Sequence, residues 1–308
     1  QTVSVVKDIS DRYGLKIGQL IYDINGEYAN ANQQDSGSIS DIYIDECVKY
    51  RMITSSGFRP LLNNFYEELE EGHEIISDII SENNPSNDLK IFRTISLYKP
   101  DVTDNSSLKR WRVKTALYKS ILYKAGFAAA NGYRVYFDAN KGVTSRVDPD
   151  VDPKNGLTLS EAIEWFEKAR EVHKESPLLS SNSTKSNPKN WFDDECLAML
   201  NVLAAKNTSD TPIHGYKALF EAKKYHSPDR VNDVADEIYK LLIDGKIVIL
   251  DLSVGNAILR DKISKRIAAY VFNSSMQEFT DGNTPPNIVI YIEEAHNLIG
   301  KGMELTDT

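Results

Sequence analysis

Two adjacent carboxylates, Glu293-Glu294, close the run Ile288-Val289-Ile290-Tyr291-Ile292 and are followed by Ala295-His296-Asn297. Paired acids at the end of a strand, followed by these residues, look more like a site than a solvated turn. An unbroken β-branched and aromatic run reads as a strand buried on both faces, the habit of parallel sheets. Ligands of such sheets gather beyond the carboxyl ends of the strands. The competing reading is a strand that simply meets solvent at Glu293. Two further apolar runs also end in acids. Leu20-Ile21-Tyr22 leads into Asp23 and then Asn25-Gly26-Glu27-Tyr28, and Ile247–Leu252 carries Asp251 before Ser253. Asp23 and Glu27 are candidates to border the same crevice as the paired glutamates. They fit a turn with Asn25-Gly26 at its apex as well.

The elements that must position these acids can be read from periodicity. Thr2–Arg12 places Val3, Val6 and Ile9 near helical spacing, with Gly14 as a C-terminal stop. Leu15–Ile24 reads as a buried strand, and 29–40 as a polar surface loop. Val48–Ile53 is a further strand. The pattern then turns helical: Phe65–Ile80, the basic stretch Ser107–Ala130, a capping box at Thr158–Glu161 opening another helix, Phe192–Ala205 and Val231–Leu242. Ser181–Asn190 is a low-complexity loop. After Gly245 the sequence gives a strand, a long helix over Asn256–Phe279 with Ile258, Ile263, Ile267, Val271, Met276 and Phe279 as its apolar stripe, and the Glu-Glu strand. That is a crossover unit, so its two strands should be parallel and near neighbours. The expectation is an α/β core over residues 1–60 and 243–308, interrupted by a mainly helical insertion over 61–242.

Composition narrows the function classes. With 36 basic and 45 acidic residues the 308-residue chain carries a net charge of −9, against a broad basic face for nucleic acid. The basic helix carries Lys109, Arg110, Arg112, Lys114, Lys119 and Lys124 interleaved with Trp111, Tyr118 and Tyr123. Nucleic-acid contact is one reading; the one adopted is a helix solvated on one face and packed on the other. Cys47 and Cys196 stand far apart without metal-ligand spacing, which suits a reduced, cytoplasmic protein. No run approaches membrane-span length and no signal-peptide pattern opens the chain.

Three segments resemble one family. Ile21–Asn30, IYDINGEYAN, is similar to the D-x-x-G-E-Y segment of HerA-like ATPases, in the FtsK–HerA branch of hexameric DNA translocases. Ile247–Ser253, IVILDLS, resembles a strand of the same character there. Ile288–Asn297, IVIYIEEAHN, resembles the family's Walker B segment, and the opening QTVSVVKDI looks like the stretch directly after its Walker A loop. The resemblance covers both ends of the chain, while the middle matches in character. It implies an α/β fold, a RecA-like P-loop ATPase core with a mostly parallel sheet carrying a large, mainly helical insertion. It implies ATP and Mg²⁺ as cofactors, a homo-oligomeric ring of six subunits, double-stranded DNA as partner, and service to a nuclease or other effector in end resection or antiviral defence.

Carried over residue by residue, Glu293 takes the acid position that holds Mg²⁺ through water, and Glu294 polarises the attacking water as general base. Asp23 and Glu27 support by orienting water or sensing the γ-phosphate, and His296 and Asn297 either relay nucleotide state or hold structure by hydrogen bonds. The chain departs from the family in three ways. Glu replaces the usual Asp at position 293, the chain stops at Thr308, short of where the family carries its sensor strand and arginine finger, and no G-x-x-x-x-G-K-[ST] occurs anywhere. That loop supplies the amides and lysine that hold the phosphates. The expectation is a piece of a longer protein that begins just past its P-loop and does not hydrolyse ATP alone. The alternative is a degenerate ATPase ring that scaffolds an effector enzyme.

Overall fold

The computed structural model describes residues 2–30, 37–80, 86–228, 233–254 and 257–293; Glu294, His296 and Asn297 lie outside the described residues. Two compact units divide the chain. One is Gln1–Asn63 with Arg230–Thr308, and the other is Asn64–Asp229. In chain order the first unit supplies α1 (Thr2–Tyr13), β1 (Ile17–Asp23), the single-turn α2 (Ile39–Ile42), β2 (Cys47–Arg51) and β3 (Arg59–Pro60). The second supplies α3 (Leu69–Ile79), α4 (Asn87–Arg93), α5 (Asn105–Lys124), the two-residue β4 (Arg134–Val135), α6 (Lys141–Val147), the two-residue β5 (Leu157–Thr158), α7 (Leu159–Glu175) and α8 (Asp194–Ala204). The chain then returns to the first unit through α9 (Val234–Ile243), β6 (Ile247–Asp251), α10 (Ala257–Thr280) and β7 (Asn287–Ile292).

The fold is α/β. Among the described residues the main sheet has five strands, all parallel, in the order β3-β2-β6-β1-β7. The crossover from β6 through α10 to β7 skips one position, so the two strands are parallel with β1 between them. Alternation along β1 divides the core into two layers. Ile21 packs with Ile247, Ile249 and Val3 of α1, while Gly18 on the opposite face lies against the Leu242 backbone of α9. On that second face the Tyr22 phenol donates to the Ser264 carbonyl of α10 at 3.2 Å. The expected boundary of the insertion at residue 242 is corrected by these contacts: α9 belongs to the sheet, and the helical unit ends at Asp229.

Two amphipathic readings shift once packing is seen. In α1 the buried positions are Val3, Lys7 and Ser10, and Ile9 is exposed. Lys7 can be buried because its ammonium pairs with Asp11 and, at 2.7 Å, with Glu46. In α10 the covered positions are Ser264, Ile267 and Val271, while Phe272, Met276 and Phe279 are exposed. Strand β7 was expected to be buried on both faces. It sits at the edge of the sheet with β1 as its neighbour, and Ile290 and Ile292 are about two-fifths exposed. An apolar run reports the preference for burial, whereas sheet order decides which strand is left at the edge.

In the helical unit the capping box at α7 forms as expected, with the Thr158 side chain accepting from the Glu161 N–H and Glu161 accepting from the Thr158 N–H. Helix α5 is packed, and the adopted reading of its basic face holds for most of it. Lys114 pairs with Glu195 of α8, Lys124 pairs with Glu167 of α7, and Lys119 donates to the Tyr133 phenol at 2.6 Å. Among the described residues no helix is long and apolar enough to cross a membrane.

The Gly18 contact is a test of the layer arrangement. A Cβ at this position would lie 2.3 Å from the Leu242 carbonyl oxygen, a backbone atom that cannot swing aside. Gly18→Ala should therefore destabilise the sheet unit by about 1–3 kcal/mol, the usual scale for overpacking. Thermal unfolding reads this as a lowered midpoint, and an unchanged midpoint would mean that α9 does not approach β1 this closely.

Candidate active site

The register of the sheet aligns charged residues at its carboxyl edge. Arg51 of β2 pairs with Asp251 of β6, and Asp251 pairs with Asp23 of β1. Tyr22 pairs with Ile292 of β7, so the next residue along, Glu293, continues the row. One guanidinium and three carboxylates thus stand at the ends of four adjacent parallel strands. This is the place where such sheets hold ligands.

The four are not equivalent. Asp23 is fully buried and both of its oxygens are engaged. Oδ1 accepts from the N–H groups of Gly26 (2.8 Å) and Glu27 (3.0 Å), and Oδ2 from those of Tyr28 (3.0 Å) and Ala29 (2.9 Å). A carboxylate at the end of a strand has here wound the next turn of chain around itself. Gly26 supplies the left-handed backbone that the turn requires, at φ +80°. Burial pushes the Asp23 carboxyl above its ordinary range and the Asp251 charge adds to this, against the lowering effect of the backbone N–H groups. The turn reading accounts for every bond Asp23 makes. The supporting catalytic role expected for it would require those bonds to open. Glu27 is exposed, at the rim of the same turn.

Asp251 is also fully buried. Its Oδ2 accepts from Arg51 Nε at 2.8 Å and Nη2 at 2.5 Å, and its Oδ1 accepts from the Ser253 N–H at 3.0 Å and hydroxyl at 2.6 Å. Burial alone would raise this carboxyl; the Ser253 and Arg51 bonds together outweigh it and hold the group below the usual carboxylate range. Arg51 also stacks 3.8 Å from the centre of the Phe58 ring and donates to the Asn30 side-chain carbonyl at 3.2 Å. Asn30 in turn donates to the Gly26 carbonyl at 2.9 Å. Arg51 was not among the expected site residues. Its signal was a basic residue closing a strand in a sheet whose other strands close in acids.

Glu293 stands beside Tyr28, whose phenol hydrogen-bonds the glutamate. Burial, then the Glu293 charge and this bond, raise the phenol above its ordinary value. The structure therefore brings Asp23, Glu27 and Glu293 to one edge of one sheet, while Glu294 lies outside the described residues. The donor set suits a hard cation in kind, because Glu293 offers carboxylate oxygen. Among the described residues no three His, Cys, Asp or Glu side chains are grouped to hold a metal ion. A Mg²⁺ at this edge would meet one or two protein carboxylates, the usual number at phosphoryl-transfer sites. No family model matches the chain, and no curated protein sequence matches it.

The Arg51–Asp251 pair makes a testable prediction. Arg51→Met leaves a fully buried carboxylate without its guanidinium and should cost about 3–5 kcal/mol of stability at neutral pH. In the parent, the stability contributed by Asp251 is present above the ordinary carboxylate range and is lost as pH falls through its lowered folded value. In the variant, burial is no longer opposed by Arg51, the carboxyl rises, and acid relieves the unpaired charge. Denaturant unfolding should show the gap between the two proteins narrowing from about pH 7 to about pH 3. A gap independent of pH would assign the loss to packing against Phe58.

Proposed function

We propose that the chain is the catalytic-acid portion of an ATP-dependent DNA translocase of the HerA type, which hydrolyses ATP with Mg²⁺ to move double-stranded DNA. One observation carries this reading. The three segments that resemble the family, Ile21–Asn30, Ile247–Ser253 and Ile288–Asn297, lie, over their described residues, along or just after the adjacent strands β1, β6 and β7, and Asp23, Asp251 and Glu293 stand at a single edge. Phosphoryl transfer asks for positioning, a metal to offset charge, and a group that orients or deprotonates water. Glu293 is suited to hold Mg²⁺ through water, being one methylene longer than the Asp usual in the family. Glu294 takes the water's proton. Asp23 acts as a positioning residue, since its four backbone bonds fix the turn that carries Glu27 and Tyr28. The phosphate cradle is not supplied by this chain, which has no G-x-x-x-x-G-K-[ST]. The motor works as a closed ring of six in the cytoplasm and serves a nuclease or another effector.

A second reading, a ring scaffold without turnover, is favoured by the structural use of both Asp23 and Asp251. The glutamates decide between the two. In the full-length protein with DNA present, Glu294→Gln should lower steady-state ATP turnover by about 10²–10⁴-fold, the scale for loss of a general base, with ATP affinity little changed. Glu293→Gln should weaken Mg²⁺-dependent nucleotide binding together with turnover. Near-normal turnover in Glu294→Gln would move the base to Glu27, and absence of turnover in the unmutated protein would establish the scaffold. The mass of the intact protein in solution should correspond to a closed ring, for which six copies are expected; a stable monomer with and without nucleotide would remove the ring.

A further inference from the structure

The helical unit contains a groove of about 500 Å³ that the motor reading does not use. Its walls are the first turns of α5, the segment 138–140, the loop before β5, and the segment 180–191. That last segment, low in complexity as sequence, folds back on itself as a tight hairpin. Ser180 donates its N–H to the Lys189 carbonyl at 2.9 Å, Trp191 donates its N–H to the Leu178 carbonyl at 2.8 Å, and Leu179 bridges Asn190. The hairpin thereby brings Lys189 and Trp191 to the same groove as Lys109 and Arg110 of α5 and Lys154.

Charge is concentrated here in a chain that is acidic as a whole. Lys109 and Lys189 are exposed and make no ion pair among the described residues. Lys154 shares Asp138 with Arg112, at 3.5 and 3.7 Å, which leaves two cations on one carboxylate. The other acid on the wall, Asp193, accepts the Cys196 N–H at 2.8 Å as the cap of α8. Elsewhere on α5 the cations are neutralised inside the unit by Glu195 and Glu167. The groove is where the basic face of the helix is left open to a ligand. Lysine ammonium groups and an arginine fork are the side chains that take phosphate oxygens. Trp191 packs against Phe192, at 4.6 Å between centroids, and edge-on against Trp165, at 5.9 Å, and it lines the groove partly exposed. Stacking of a base on such a ring contributes about 1–3 kcal/mol.

We infer that this groove is a nucleotide site, binding the phosphates of a nucleoside di- or triphosphate through Lys109, Lys154 and Lys189 and its base against Trp191. Size and charge favour a mononucleotide over a polymer. The volume falls within the roughly 300–1,000 Å³ of small-molecule pockets, and a nucleic-acid strand would need a longer basic track than a chain of net charge −9 offers here. The inference does not rest on the motor reading, because no residue of the sheet edge takes part.

Calorimetric titration of the chain with ADP, pyrophosphate, adenosine and a 20-nucleotide single-stranded DNA tests it. The variants are Lys109→Glu/Lys189→Glu and Lys189→Glu alone, with Lys217→Glu, charge-matched to the single variant, as a control elsewhere in the helical unit. ADP should bind, pyrophosphate should compete with it, and adenosine should bind more weakly. The double variant should lose about tenfold or more in ADP affinity, or about 1.4 kcal/mol and upward, while Lys217→Glu leaves it unchanged. Both lysines are exposed and outside any ion pair of the described residues, so the double variant should unfold at the parent temperature; if it does not, Lys189→Glu alone carries the comparison. No binding of ADP or pyrophosphate, or equal ADP affinity in the parent and the double variant, overturns the inference. DNA that displaces ADP and binds at least tenfold more tightly overturns it in favour of a strand-binding groove.

Discussion

Two carboxylates with no exposure to solvent stand side by side at the end of a parallel sheet, and the unit around them is arranged to make that tolerable. Asp251 and Asp23 are register partners on adjacent strands, so each is in the field of the other. Removing charge from water is costly unless hydrogen bonds and an opposite charge replace it. Asp251 has the Arg51 guanidinium and Ser253; Asp23 has four backbone N–H groups and no cation among the described residues. That asymmetry is why the two acids shift in opposite directions, Asp23 up and Asp251 down. It also fixes geometry: β2 is tied to β6 by Arg51, and the turn after β1 is wound on Asp23 and braced by Asn30.

The same arrangement bears on chemistry. An acid whose lone pairs all point at backbone amides is suited to shaping a loop, and an acid clamped by a guanidinium is suited to closing a sheet. Glu293, paired with a phenol on the neighbouring turn, is the member of the row least committed to the scaffold. A row of three carboxylates and one guanidinium leaves negative charge at the strand ends, which favours a cation there. This is how a structural requirement, acids held rigidly at the edge of a sheet, coincides with what metal-assisted phosphoryl transfer would need.

The helical unit solves its charge problem differently. Cations on α5 reach carboxylates on α7 and α8. At the first turns of α5 the partners run out, and the folded-back 180–191 segment adds a further lysine and an indole. A basic face that reads as uniform along the helix is thereby divided into a neutralised interior part and an open groove.

What the sequence determined by itself was mostly local and periodic. Apolar runs of β-branched, Leu and Tyr residues marked β1, β6 and β7 as strands of a parallel sheet, the change to a 3.6-residue period marked the inserted helical unit, and acids after each run marked the edge where they would gather. These signals survive because strand and helix preferences are carried by neighbouring residues and need no knowledge of the partner. The tertiary structure decided the rest. The buried face of α1 includes Lys7, since its ammonium, already beside Asp11 one turn along the helix, can be buried once the fold brings Glu46 to it. The strand with the strongest apolar run stands at the edge of the sheet, because strand order is set by connections and packing layers and not by hydrophobicity. Asp23 became the anchor of a turn because the four amides that hold it exist as a set only when the chain after β1 has closed around it. Arg51 became the counter-charge of Asp251 through a register that joins residues 200 positions apart, a distance at which sequence spacing carries no information about contact.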